Sequence, residues 1–178
     1  MPHIKLQPEM PGIIALFDFN PETAKPLCEL AEILLRGPSS LSQGERELIA
    51  AYVSLKNECT FCHNSHLAAA RAGLGAKASL AAEVMKDPER SSVSPKLKAL
   101  IKIAGKVCES GTAVTSEVIK QARDVGATDR EIHDTVLTAA AFCMYNRYVD
   151  GLATLSPPAG SSAYDSMGKR LVDEGYRR

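Results

Sequence analysis

Apolar residues recur every three or four positions along most of this chain, and Gly and Pro cut that periodicity into segments. Residues 21–35 carry Leu27, Leu30, Ala31, Leu34 and Leu35 at helical spacing, and Gly37-Pro38 stops them. Pro26 is expected to shorten or kink this helix. Ser42-Gln43-Gly44-Glu45 reads as a capping box. It opens a helix to about Asn57, with Leu48, Ile49, Tyr52, Val53 and Leu55 apolar. A third helix is predicted from about Thr60 to Ala72, ending at Gly73 and Gly75, and a shorter one over about 77–86.

The second half repeats these signals. Ser94-Pro95 starts a helix over about 95–109, and Thr115 caps one that runs to Val125. Thr128-Asp129-Arg130-Glu131 is a second capping box, with Glu131 as the partner of Thr128. It opens a long helix through Cys143 to about Leu152; Ser156-Pro157-Pro158 breaks the chain before a last helix over about 162–174. An offset of 84 residues sets Glu47 on Glu131 and Cys59 on Cys143, but few other residues match, so no repeat is drawn. No segment alternates with period two. The expectation is an all-α protein, a bundle of about six to eight helices forming one domain over residues 1–178.

Composition adds limits. At 45% hydrophobic and 5% aromatic, with no Trp, the core must be built from Leu, Ile, Val and Ala. The 21 basic and 21 acidic residues cancel without a basic block, which argues against a nucleic-acid partner. No run approaches a membrane span, and the first residues do not read as a signal peptide, so a cytoplasmic protein is expected. Five cysteines, an odd number, do not suit a secreted disulfide framework.

The chemistry concentrates in Glu58-Cys59-Thr60-Phe61-Cys62-His63-Asn64-Ser65-His66. On a helix, Cys59, Cys62 and His66 share one face at the helix N-terminus, where partial positive charge favours a thiolate. A three-residue spacing lets two sulfurs reach bonding distance. His66 lies four residues after Cys62 and His63 four after Cys59; Cys59 sits at the helix threshold, which favours the Cys62–His66 pair. If the chain folds back near 58–60, His66 falls across from Ala50 and Ala51, with Glu47 one turn further and able to orient the imidazole. Glu45 and Glu58 lie nearer turns and are expected to be solvated.

Glu47, eleven residues, Cys59-x-x-Cys62, three residues and His66 together resemble the alkyl hydroperoxidase D and carboxymuconolactone decarboxylase family. RELIAAYVSLKNECTFCHNSH looks like its peroxidase-related branch. The likeness is strongest over about 41–75 and extends loosely to about 152, where Tyr145-Asn146-Arg147 also fits. It implies a helical core over about 41–152 and a homo-oligomer, a trimer or hexamer. It also implies Cys62 as the peroxide-attacking thiol, Cys59 as the resolving thiol, and Glu47 and His66 as the proton relay. The partners implied are a hydroperoxide and an external dithiol of lipoyl or thioredoxin type, with no cofactor or metal. One departure stands out: the family's best-studied members carry a histidine where this chain has Phe61, which leaves any second histidine's part to His63.

Other readings remain. A zinc site of Cys59, Cys62, His63 and His66 would spread its ligands along about 10 Å of helix rise, too far for bonds of about 2.0–2.3 Å. A dithiol/disulfide oxidoreductase or redox sensor with little peroxidase activity, or a decarboxylase-like lyase, would sit on the same scaffold. Cys28, Cys108 and Cys143 read as small buried residues, and His133 as a surface residue. Arg147 and Asp150 read as a buried or interface ion pair rather than a substrate clamp, and Tyr145 and Asn146 as candidate pocket walls.

Overall fold

The computed structural model describes residues 1–177. Among them are nine α-helices and no strand: α1 (Gly12–Phe19), α2 (Pro21–Arg36), α3 (Gln43–Lys56), α4 (Thr60–Leu74), α5 (Ser79–Lys86), α6 (Pro95–Glu109), α7 (Ser116–Asp124), α8 (Asp129–Gly151) and α9 (Ser162–Glu174). The all-helical expectation holds, and the helix ends predicted from caps and Gly/Pro stops fall within about two residues of those seen. Both capping boxes form, Ser42 with Glu45 and Thr128 with Glu131.

Two local features differ from expectation. α1 is an additional short helix with no side-chain cap. Its first residue, Gly12, has φ +53, and a Cβ there would sit inside the ring of Phe61, so a side chain at 12 would expel the wall of the site described below. α2 continues through Pro26. Pro26 cannot bond the carbonyl four residues earlier, but that carbonyl belongs to exposed Glu22 in the first turn, where solvent is at hand.

α3 is the central element. Gly44, Arg46 to Ala51, Val53 and Ser54 are buried, because α4, α6 and α8 all pack on it. The α3–α4 connection is as short as a helical hairpin allows. Asn57 ends α3, Glu58 turns with φ 60, and Cys59 already caps α4. Glu58 N–H donates to the Leu55 carbonyl and Cys59 N–H to the Ser54 carbonyl, both at 3.0 Å. These are the two bonds of a Schellman motif, which satisfy carbonyls that the helix end leaves open. α4 must therefore run back along α3. Their far ends meet where a Cβ on Gly44 would lie 2.7 Å from the Gly73 carbonyl carbon.

α9 lies on the outer side of α4, again through a glycine: a Cβ on Gly168 would lie 2.5 Å from the Ala68 carbonyl carbon. After α9, Gly175 turns at φ +76 and Tyr176 N–H donates to Glu32 of α2 at 2.8 Å. That turn carries the end of the chain back over α2 and α3.

Candidate active site

The hairpin brings its polar residues together in a core otherwise made of Leu, Ile, Val and Ala. Cys59 is the N-cap of α4 and Cys62 its third residue; both are buried, at 0% and 3% exposure, so neither thiol is a surface group. The neighbouring Cys62 thiol, together with burial, pushes Cys59 upward from its ordinary pKa. Cys59 therefore stays a protonated thiol. Asp150, near the end of α8, is its neighbour; burial raises the Asp150 carboxyl, against the influence of the Cys59 thiol. Arg147 and Asp150 do not pair. Arg147 is exposed and donates to the Cys143 carbonyl at 2.9 Å, while Asp150 lies beside Cys59.

His63 and His66 both face α3, one turn apart. His63 Nδ1 lies 3.1 Å from the Ala51 carbonyl, which occupies that imidazole with the α3 backbone. Burial lowers its pKa. His66 Nδ1 lies 2.7 Å from Glu47 Oε2. A carboxylate facing Nδ1 fixes the proton there and leaves Nε2 as the basic nitrogen. Burial works against ionising Glu47, whose side chain is fully buried, but His66, Arg36 and a Tyr176 hydrogen bond outweigh it and hold the carboxyl below its ordinary range.

Two of those partners escaped the sequence reading. Arg36 Nη2, at the end of α2, lies 2.6 Å from Glu47 Oε1. The Tyr176 hydroxyl donates to the same oxygen at 2.5 Å and lies 3.2 Å from His66 Nδ1. Its ring stacks on His66 at 9° between planes, and the Arg36 guanidinium sits 5.0 Å from its centroid. Burial and the Glu47 charge push the Tyr176 phenol well up, so it remains a neutral donor. Glu45 and Glu58 take no part: Glu45 is used in the cap and Glu58 is exposed.

Cys62, His66, Phe61, Phe142, Tyr145 and Tyr176 line one cavity of about 60 Å³. That exceeds the ~10–15 Å³ a single water needs, and it suits a molecule of two or three heavy atoms. Phe61 thus forms an apolar wall where a histidine would have placed a polar one. Tyr145 also lines the cavity, with its hydroxyl donating to the Leu27 carbonyl at 2.9 Å. Asn146 does not reach it; its amide joins Ser54 and Asn57 at 3.1 and 2.9 Å behind the α3–α4 turn.

The carboxymuconolactone decarboxylase family model matches residues 21–104, the stretch that holds Arg36, Glu47, both cysteines and both histidines of the hairpin. Over that stretch the chain is similar to the family. Its fold is similar to the alkylhydroperoxidase AhpD core of an uncharacterized peroxidase-related protein from Ralstonia eutropha JMP134, with TM-score 0.77, 23% identity and coverage of 90% of this chain and 82% of that one. An uncharacterized peroxidase-related protein from Silicibacter sp. TM1040 superposes with TM-score 0.76 and 26% identity over 89% of this chain and 80% of its own. A protein of unknown function from Agrobacterium tumefaciens, provisionally described as the antioxidant defence protein AhpD, superposes with TM-score 0.68 and 21% identity, over 83% of this chain and 99% of its own. No curated protein matches the sequence. Asp150 and Tyr176 lie outside the matched family segment, so the site draws on α8 and on the last residues as well as on the family hairpin. No helix among the described residues is long and apolar enough to cross a membrane.

Proposed function

We propose that the protein is a thiol-dependent peroxidase that reduces hydrogen peroxide or small organic hydroperoxides through Cys62 and Cys59. One observation carries this reading: Cys62 and the Glu47-held His66 line the same small cavity, with the Cys59 thiol beside Cys62. His66 Nε2 takes the Cys62 proton, and Glu47 steadies the imidazolium that results. The thiolate attacks one peroxide oxygen and the O–O bond breaks. Cys62 becomes a sulfenic acid, and the departing oxygen takes the proton from His66 to leave as water or an alcohol. Cys59 then attacks the sulfenic sulfur. Its proton passes by way of Asp150 to the displaced hydroxide, which leaves as water, and the 59–62 disulfide remains.

An external dithiol restores the pair by exchange. Because both thiols are buried, a slender lipoyl-type arm suits the site better than the face of a thioredoxin-type protein. The same burial disfavours a general protein-disulfide oxidoreductase. A decarboxylase-like reaction would make no use of two neighbouring thiols. The homo-oligomer and the cytoplasmic location remain part of this proposal, the first on family resemblance and the second on the sequence.

Continuous hydroperoxide consumption with candidate dithiols supplied one at a time tests the reading. Turnover with at least one small dithiol, abolished by Cys62→Ser, is the expected result. Rapid exchange with disulfides, together with thiols that survive a stoichiometric addition of peroxide, would replace it with the oxidoreductase reading.

A further inference from the structure

Cys108 and Cys143 were expected to be separate buried residues. Instead both are half-buried, one on α6 and one on α8, and their sulfurs lie 3.9 Å apart. Neither belongs to the Cys59–Cys62 cavity.

The two sulfurs have different surroundings. Asn57 Nδ2 donates to Cys143 Sγ at 3.3 Å. Cys108 Sγ instead points toward the Val53 carbonyl at 4.0 Å, an acceptor that favours the protonated form. Burial and the neighbouring Cys143 push Cys108 up to about 12, against the attraction of Lys56 and Arg147. The pair therefore divides into a sulfur served by a donor and a thiol that keeps its proton. These are the two roles a disulfide-forming couple needs.

We propose that Cys108 and Cys143 are a second redox-active dithiol, converted by hydroperoxide into an intrachain disulfide that ties α6 to α8. The Cys143 thiolate attacks the peroxide O–O bond and becomes a sulfenic acid; the departing oxygen takes up a proton and leaves as an alcohol or water. Cys108 attacks that sulfur, its proton leaves with the displaced hydroxide as water, and the S–S bond forms. Two thiols and one hydroperoxide give one disulfide, one alcohol or water, and one further water. The sulfurs must close a gap of about 1.9 Å to bonding distance, by rotation of two unbranched side chains on packed helices. Asn57, two residues before Cys59, links this pair to the α3–α4 turn, since the amide that touches Cys143 also donates to Asn146 at 2.9 Å.

The test uses a full-length Cys59→Ser/Cys62→Ser variant, which retains three of the five cysteines. One equivalent of cumene hydroperoxide is added and peptides are mapped without reduction. The expected result is a peptide containing Cys108 linked to one containing Cys143, with two of the three thiols lost. Three surviving thiols, a linkage to Cys28 or to another chain, or oxidation of Cys143 to sulfinic acid with Cys108 still free would overturn the proposal. Wild-type protein and Cys108→Ala provide a second route if the double variant does not fold. The 108–143 link must appear in the first and vanish in the second, while Cys59–Cys62 chemistry is unchanged between them. Failure of the first dithiol would instead show as a missing 59–62 link in wild type, so the two proposals fail separately.

Discussion

Replacing Glu47 with Gln is the sharpest perturbation of the relay. The Glu47 carboxylate is fully buried and accepts from His66 Nδ1 at 2.7 Å, Arg36 at 2.6 Å and Tyr176 at 2.5 Å. Gln keeps one acceptor oxygen, which Arg36 and Tyr176 will claim. Its amide N–H₂ then faces His66 Nδ1, and that nitrogen must become an acceptor. The ring proton moves to Nε2, and the base for Cys62 is lost. Removing a positioned base costs about 10²–10⁴ in rate. Breaking a buried pair costs about 3–5 kcal/mol, and the retained acceptor should reduce that to about 2–3 kcal/mol.

The acid limb should change too. Glu47 is held below its ordinary value when folded, so it adds stability above the ordinary carboxylate pKa and loses it as pH falls through the folded one. Denaturant titration should show the Glu47→Gln deficit constant from pH 6 to 8 and shrinking as the solution is made more acid than about pH 4. Initial rates of peroxide consumption at saturating dithiol provide the kinetic half. A folded Glu47→Gln protein within tenfold of wild-type kcat/KM would refute the relay.

Three further outcomes follow from the packing around the site. Tyr176→Phe removes one donor from Glu47; we expect about 1.5–3 kcal/mol less stability in urea and about tenfold lower kcat/KM, with the fold intact by circular dichroism. Gly168→Ala forces a Cβ against the Ala68 backbone and should cost about 1–3 kcal/mol, read as a lower Tm, with faster proteolysis of the chain end as α9 lifts from α4. Burial works against ionising Glu131, but Lys96 at 2.6 Å and bonds from Thr128 and Ser40 hold its pKa at about 2. Glu131→Gln should therefore lose about 2 kcal/mol near neutral pH, a deficit that fades as pH falls from about 4.5 toward 2, checked by urea midpoints along a pH series.

The legible parts of this protein were those encoded over short separations. Ser42 with Glu45 and Thr128 with Glu131 announce helix starts by their own spacing, and both boxes form. The 47–66 geometry was legible because a two-residue Schellman turn leaves the hairpin a single way to fold. Arg36 was not, since a basic residue in a last helical turn is adequately explained by the helix dipole. Tyr176 was not, because it reaches Glu47 across 129 positions from a polar tail with no periodicity. Cys108 and Cys143 sit in apolar helical text, and only the crossing of α6 and α8 sets their sulfurs face to face. The missing Arg147–Asp150 pair has the same origin: sequence proximity on α8 does not fix which way two side chains leave it.

The division of labour between Cys62 and Cys59 is tested most directly by trapping the sulfenic acid. Each single variant, Cys59→Ser and Cys62→Ser, is treated with one equivalent of hydroperoxide in the presence of dimedone, and the adduct is located by peptide mass. The account predicts a dimedone adduct on Cys62 in Cys59→Ser and none on Cys59 in Cys62→Ser. An adduct on Cys59 in the second variant, with Cys62 unmodified in the first, would contradict it.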